Sequence, residues 1–378
     1  MLHFARAIVG VLTFVAALCA GMPATAQAET AWHPGKLLSD EPLDRDWGGL
    51  SEVHRIEYVT TGPGGDLVPA EAVVRLPEGG PPVGGWPVVA WDHGTSGLGQ
   101  ECGLTGSEQL EQGTAPAVSR LNDAGYAVVA PDYIGLSPGS PGPHPYLQTG
   151  TEATATVDAV RAAHAGFTVL SRSWAVAGVS QGGHAALGTG HLAPSYAPEL
   201  DFRGTAALAP VSNLETIFLR SRPGQPEMPG FTGRSVPMVL AGMTGAKLGV
   251  DVDDYLTPAG QRFVDGLAVR CNARAGAMLA TAKVGELLAR PLDDPQFAPA
   301  MREYMGVPVS GYQDPILVVH GYYDTVVPLP LTLALTAQFT QHGTRHEIQL
   351  LEAGHDDLPD QGGLDRALTF LGQVLPAR

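Results

Sequence analysis

Apolar residues along this chain gather into short runs separated by glycine- and proline-rich connections, and between the runs lie stretches with helical spacing of apolar positions. The first two runs, residues 53–60 and 69–76, flank a Gly62-Pro63-Gly64-Gly65 turn, which predicts a pair of antiparallel strands. Residues 86–91 are apolar without interruption and end in Asp92-His93-Gly94-Thr95. A run with no polar alternation reads as a strand covered on both faces, as in parallel sheets. Residues 115–124 predict a helix stopped by Gly125, residues 126–131 the next buried strand, and residues 151–165 an amphipathic helix. Strands at 174–178 and 204–210 continue the series. Strands alternating with helices imply the α/β class, with a mostly parallel, doubly wound sheet.

The alternation breaks at residues 211–312, a section of helical flavour with Pro and Gly punctuation that holds six of the eight methionines (Met228, Met238, Met243, Met278, Met301 and Met305). It resumes with the apolar run 315–320, which leads into Gly321 and Asp324, then a last strand at 346–351 and a closing helix at 364–374. The expected organisation is a core of residues 29–210 and 313–378 with a helical cap, residues 211–312, inserted into it. An insertion there emerges at the carboxyl edge of the sheet, where an open α/β sheet builds its site, and should roof that site. Its methionines either adapt to an apolar ligand or fill the cap's own core.

The stretch that organises the rest is Trp174-Ala175-Val176-Ala177-Gly178-Val179-Ser180-Gln181-Gly182-Gly183. A nucleophile carried on a sharp strand-to-helix turn leaves no room for side chains two residues before and two after it, and Gly178 and Gly182 supply that room. Ser180 is the candidate nucleophile. The amide of Gln181, at the positive end of the following helix, is a candidate oxyanion donor, and Gly94 or Thr95 a second. An acid after the penultimate strand, Asp324, and a histidine after the last, His355, complete the order Ser, Asp, His. Each has rivals: Asp356 and Asp357 adjoin His355, Asp92 also follows a strand, and His93, His184 and the pair Asp132-Tyr133 lie near the same edge. For Asp92 the expected role is to shape the oxyanion loop, for Asp132 to cap a helix, and for His93 and His184 to act as structural groups.

Residues 1–28 contain Arg6, no acid and an apolar centre, followed by Ala24-Thr25-Ala26, the pattern of a secretory signal peptide cleaved near Ala26 or Ala28. No other stretch is long enough for an integral membrane span. Removing residues 1–28 takes away one positive charge, Arg6, and moves the formal charge from −16 to −17 (−16 minus 1), which argues against nucleic acid as a partner. The insertion carries ten acidic and ten basic residues, so this charge belongs to the sheet-forming part. Once Cys19 leaves with the signal, Cys102 and Cys271 remain, and in an exported chain two cysteines are expected to pair.

Gly178-Val179-Ser180-Gln181-Gly182-Gly183, His320-Gly321-x-x-Asp324 and Gly354-His355 together resemble an α/β-hydrolase of the secretory lipase type, a family of exported esterases and lipases with a helical cap. The resemblance covers essentially the whole chain after the signal. It implies serine esterase or lipase chemistry on a small-molecule or lipid ester, with a lipid interface as an optional surface and with no metal or cofactor. Val179 precedes the serine where many lipases have His or Tyr, and no His-Gly-Gly-Gly run follows Trp91, so acyl preference and the second oxyanion donor stay open. Apart from a carboxylic ester hydrolase for apolar acyl groups, the same parts would serve an amide or peptide hydrolase or an acyltransferase. A catalytically silent binding module on this fold is the remaining alternative.

Overall fold

Nine strands form one sheet in the computed structural model, which describes residues 31–106, 113–227, 230, 233 and 235–377. The expected signal peptide, residues 1–28, lies outside the described residues, as do Met228 and Arg234. In chain order the strands are β1 (Leu37–Pro42), β2 (Val53–Thr61), β3 (Leu67–Arg75), β4 (Trp86–Asp92), β5 (Ala127–Pro131), β6 (Leu170–Val179), β7 (Asp201–Leu208), β8 (Ile316–Gly321) and β9 (His346–Leu351). Across the sheet they run β1-β2-β3-β5-β4-β6-β7-β8-β9. From β5 to β9 all neighbours are parallel; β1, β2 and β3 pair antiparallel, and β3 joins β5 antiparallel. This is the α/β-hydrolase architecture.

Strands β4, β5 and β8 are buried nearly throughout, and β6 and β7 over their C-terminal halves, because helices cover both faces, while the edge strand β9 is half-buried. Alternate residues of β4 and β6 divide between two apolar clusters: Val89, Trp91, Ala175 and Ala177 pack with α1 (Thr114–Asp123) and the closing helix Leu364–Val374. Val88, Ala90, Trp174 and Val176 pack on the opposite side with α2 (Thr149–Gly166) and α3 (Gln181–Tyr196). Strand period two thus feeds two layers at once, and that is why these strands read as unbroken apolar runs.

Three differences from the sequence reading have physical causes. β1, Leu-Leu-Ser-Asp-Glu-Pro, was not expected: it is a half-exposed edge strand whose acids and proline suit a sheet edge and give no apolar alternation. Helix α2 is not two-faced, since Glu152, Thr156 and Asp158 are buried along with its alanines and valines. The helix Leu329–Gln341 starts after Pro328 with no side-chain cap, so it lacked the Ser, Thr, Asp or Asn that usually marks a start.

Between β7 and β8 the described residues form α4 (Glu215–Phe218) and then helices Val236–Met243, Pro258–Leu267, Asn272–Leu279, Val284–Leu287 and Phe297–Met305. Their apolar cluster includes Met238, Met243, Met301 and Met305, none more than 1 % exposed, and it incorporates Leu98, Tyr146, Leu147 and Val327 from loops following β4, β5 and β8. The same side is fastened covalently, for Cys102 and Cys271 form a disulfide with Cα atoms 5.1 Å apart. Around it Leu98 N donates to Arg270 O at 3.0 Å and Asn272 N to Ser96 O at 2.9 Å.

Beyond β5, Asp132 does not cap a helix. It accepts the amide of Thr105 at 3.1 Å and the Thr105 hydroxyl, which also lies 2.5 Å from Glu71 Oε2. Burial pushes Asp132 up to about 7, the Thr105 hydroxyl opposes that, and Glu71 adds to it.

Two outcomes are expected. The disulfide closes 169 residues, for which the chain-entropy model gives at most about 5 kcal/mol, so Cys102→Ser with Cys271→Ser should unfold at clearly lower denaturant concentration than the parent. For Asp132, a native pKa near 7 lies above the unfolded value near 4, so its contribution is full at low pH and is lost as pH rises through about 7. The thermal midpoint should fall more between about pH 5.5 and pH 8.5 in the parent than in Asp132→Asn; an equal fall in both would remove Asp132 as the cause.

Candidate active site

Ser180 follows the last residue of β6 and precedes the first of α3, with φ 59° and ψ −117°, a region a non-glycine residue occupies only where its surroundings hold it there. Its amide donates to Leu208 O at the end of β7 at 2.9 Å, and its carbonyl accepts from His184 N at 3.1 Å. The flanking glycines are required by close approach. A Cβ on Gly182 would enter the carbonyl of Asp92, and one on Gly178 would come within 2.8 Å of Asp92 Cβ and overlap the carbonyl of Gly182. Gly183 faces Leu208 O and Pro210 at 2.8 and 2.9 Å in the same sense.

His355, in the loop after β9, brings the three expected side chains together. Its Nδ1 donates to Asp324 Oδ2 at 2.6 Å, and its Nε2 accepts from Ser180 Oγ at 2.8 Å. All three residues are at most 7 % exposed. Asp324 is itself held, because its Oδ1 accepts the amides of Val326 and Val327, each at 2.8 Å. Acceptance on one oxygen from the backbone aims the other at the imidazole.

The rivals are elsewhere engaged. Asp357 accepts Gly354 N at 2.7 Å and so tightens the turn that carries His355, and Asp356 is exposed. Asp92 points to α2, where it accepts the Thr156 hydroxyl at 2.7 Å. His93 donates from Nδ1 to Gly94 O at 2.6 Å and lies over the Tyr133 ring, and burial lowers it to about 4. His184 donates to Val211 O at 2.9 Å, fastening the first residue of the insertion, and burial lowers it to about 4. Tyr133 donates its hydroxyl to His93 O at 3.1 Å.

Gln181 opens α3, so its amide is one of the first-turn N–H groups that a helix leaves without an internal partner. The opposing loop, Gly94 to Ser96, is pinned from the insertion: Asn272 Nδ2 donates to Thr95 O at 2.7 Å. A cavity of about 1020 Å³ walled by Ser96, Gln100, Pro143, Arg270 and Asn272 adjoins the disulfide, and neither Ser180, Asp324 nor His355 lines it. Among the described residues no group of three or more His, Cys, Asp or Glu could hold a metal ion.

The structure gives roles to residues for which sequence reasoning had none. His320 donates from Nε2 to Val327 O at 3.0 Å and accepts from Thr332 at 3.1 Å, bracing the loop that carries Asp324; burial lowers its pKa, although the Asp324 charge opposes this. Its place in His320-Gly321-x-x-Asp324 was the available signal. Asn272 and Tyr146 had none, since their partner Thr95 lies far away in sequence, and neither had Glu152, whose partner Gln181 is on another helix.

Among curated proteins no sequence matches this chain. In solved structures, a ligand-bound rice cell wall degrading esterase, LipA, from Xanthomonas oryzae superposes with a TM-score of 0.69 at 22 % identity, covering 90 % of this chain and 98 % of that one. Candida antarctica lipase A gives 0.70 at 18 % identity, covering 89 % and 83 %. A putative hydrolase from Legionella pneumophila gives 0.68 at 20 % identity, covering 85 % and 88 %. At these identities the likeness carries the fold. The model of the family described as secretory lipase matches residues 105–358, from the loop beside the disulfide to just past His355. This chain belongs to the secretory lipase family.

Proposed function

We propose that this protein is an exported serine ester hydrolase that acts through an acyl-enzyme on Ser180. The observation that carries the reading is the pair of hydrogen bonds from one imidazole, His355, to Ser180 Oγ at 2.8 Å and to Asp324 at 2.6 Å. A serine hydroxyl is a weak nucleophile until a neighbouring base takes its proton, and the Nδ1 bond to Asp324 leaves Nε2 free for that task. Ser180 Oγ bonds to the ester carbonyl carbon as its proton passes to His355 Nε2. The negative charge on the former carbonyl oxygen is received by the amide of Gln181 and one from Gly94 or Thr95. On collapse the C–O bond to the alcohol breaks and His355 returns the proton to the leaving oxygen. Water then repeats both steps on the acyl-enzyme and releases the acid.

In this reading residues 29–210 and 313–378 form the catalytic core, and residues 211–312 are a cap that contributes the apolar side of the site. Support comes from the cap's net neutrality and from its apolar cluster, which takes in Leu98, Tyr146, Leu147 and Val327 from loops at the catalytic edge. The buried methionines sit as packing residues of that cluster. Export accords with the disulfide and with the family description. Among the described residues no helix is long and apolar enough to cross a membrane.

Ser180→Ala and His355→Ala should each lower kcat on a chromogenic ester by roughly 10⁴- to 10⁶-fold, and Asp324→Asn by somewhat less, since the three act as a unit. A fluorophosphonate should label the parent and leave Ser180→Ala unlabelled. Retained activity in folded Ser180→Ala would refute the assignment. A hydrolysis profile from acetate to long-chain esters, run beside peptide amides, tests the substrate class: faster turnover of amides than of any ester would move the enzyme out of it.

A further inference from the structure

We propose that Glu152, in the first turn of α2, is a positioning residue that sets both halves of the oxyanion hole; the proposal rests on the ester-hydrolase reading above. Glu152 is 1 % exposed, and its Oε1 accepts two hydrogen bonds. One comes from Gln181 Nε2 at 2.7 Å, the side chain of the residue whose own amide is the first oxyanion donor. The other comes from the amide of Leu147 at 3.1 Å. Leu147 has φ 62°, so that amide bond holds a turn that would not persist alone. Next to it, the Tyr146 hydroxyl lies 3.0 Å from Thr95 Oγ1, in the loop offering the second donor. A single carboxyl oxygen therefore reaches Gln181 directly and Thr95 through one turn.

His144 decides how the Gln181 amide is turned. Its Nδ1 donates to Ile134 O at 2.8 Å, so its Nε2 is an acceptor, and the atom 2.7 Å from it must be the Gln181 NH₂. Both hydrogens of that NH₂ are then committed, one to His144 and one to Glu152. The other Glu152 oxygen, Oε2, is buried with no hydrogen-bond partner among the described residues. Two acceptances on Oε1 and none on Oε2 fit a neutral carboxyl with its proton on Oε2. Among the described residues no cation offsets a charge here: His144 and His184, at 4.0 and 3.8 Å from the carboxyl, are held neutral by burial, lowered to about 3 and about 4. Burial also pushes Glu152 itself well up, against its bonds from Gln181 and Leu147, with a small further push from Asp92.

A neutral acid that only accepts hydrogen bonds through one oxygen is replaceable by a glutamine, and that separates positioning from charge. Kinetics on a short-chain ester, together with inhibition by the matching trifluoromethyl ketone, which forms a reversible tetrahedral adduct, should follow the proposal in three respects. Glu152→Gln should stay within about threefold of the parent in kcat, since the amide carbonyl takes over the Oε1 acceptances. Glu152→Ala should lose roughly 10²-fold in kcat with KM within about threefold, the size seen when an oxyanion donor is lost. Its affinity for the ketone should fall by a similar factor, because the loss is confined to the charged tetrahedral state. If Glu152→Ala does not fold, Gln181→Met breaks the same link from the other side and should show the same split. Full kcat in whichever of these two variants folds, a loss in KM alone, or Glu152→Gln as impaired as the alanine variant would each overturn the proposal. A parent that neither hydrolyses esters nor labels at Ser180 would instead overturn the ester-hydrolase reading.

Discussion

The tightest glycine contact among the described residues is the one between the start of α3 and the end of β4, where the backbone at Gly182 lies against the carbonyl of Asp92 with no space for a side chain. That approach allows Ser180 to leave β6 and enter a helix within one residue, at φ 59°. The bond from Ser180 N to Leu208 O ties the same turn to β7. Three adjacent strand ends thus fix the serine hydroxyl, and the loops after β8 and β9 need only bring Asp324 and His355 to it. Short glycine contacts of this kind cost conformational entropy on folding, which the buried sheet around them offsets.

Behind the turn lies a layer of polar groups that water does not reach: Asp92, His93, His144, Glu152, Gln181 and His184 are all at most 1 % exposed. In such a medium charge is expensive, and burial drives both carboxyls up and all three imidazoles down, each in the direction of its neutral form. The layer's members act through hydrogen-bond direction, as where His144 and Glu152 together orient Gln181.

The insertion and the core are joined at several points near the site. His184, one turn beyond the serine, anchors Val211; Asn272 holds the carbonyl of Thr95; and the Tyr304 hydroxyl donates to Tyr146 O at 2.9 Å. The disulfide adds a covalent link next to Asn272. Groups that shape the loop opposite Ser180 thus come from both segments, and a change in the insertion's position would be felt at Thr95.

Local pattern was enough to place most of the sheet and the three candidate catalytic side chains. Apolar runs ending in glycine, serine or acid mark buried strands delivering groups to one edge, and the glycines at 178 and 182 answer a steric demand only a few residues long. The pairing of Cys102 with Cys271 was legible from the expectation of export, under which Cys19 is removed and the two have no other partner. Edge strand β1 and the helix Leu329–Gln341 escaped because neither carries the periodicity or cap that local reading needs. Glu152, Tyr146 and Asn272 were illegible for a different reason. Nothing in the sequence sets Glu152 apart from other acids, and only packing under α3 removes its water and its freedom. Burial, and with it protonation and hydrogen-bond direction, depends on which distant segments close over a residue, and that is decided by tertiary structure alone.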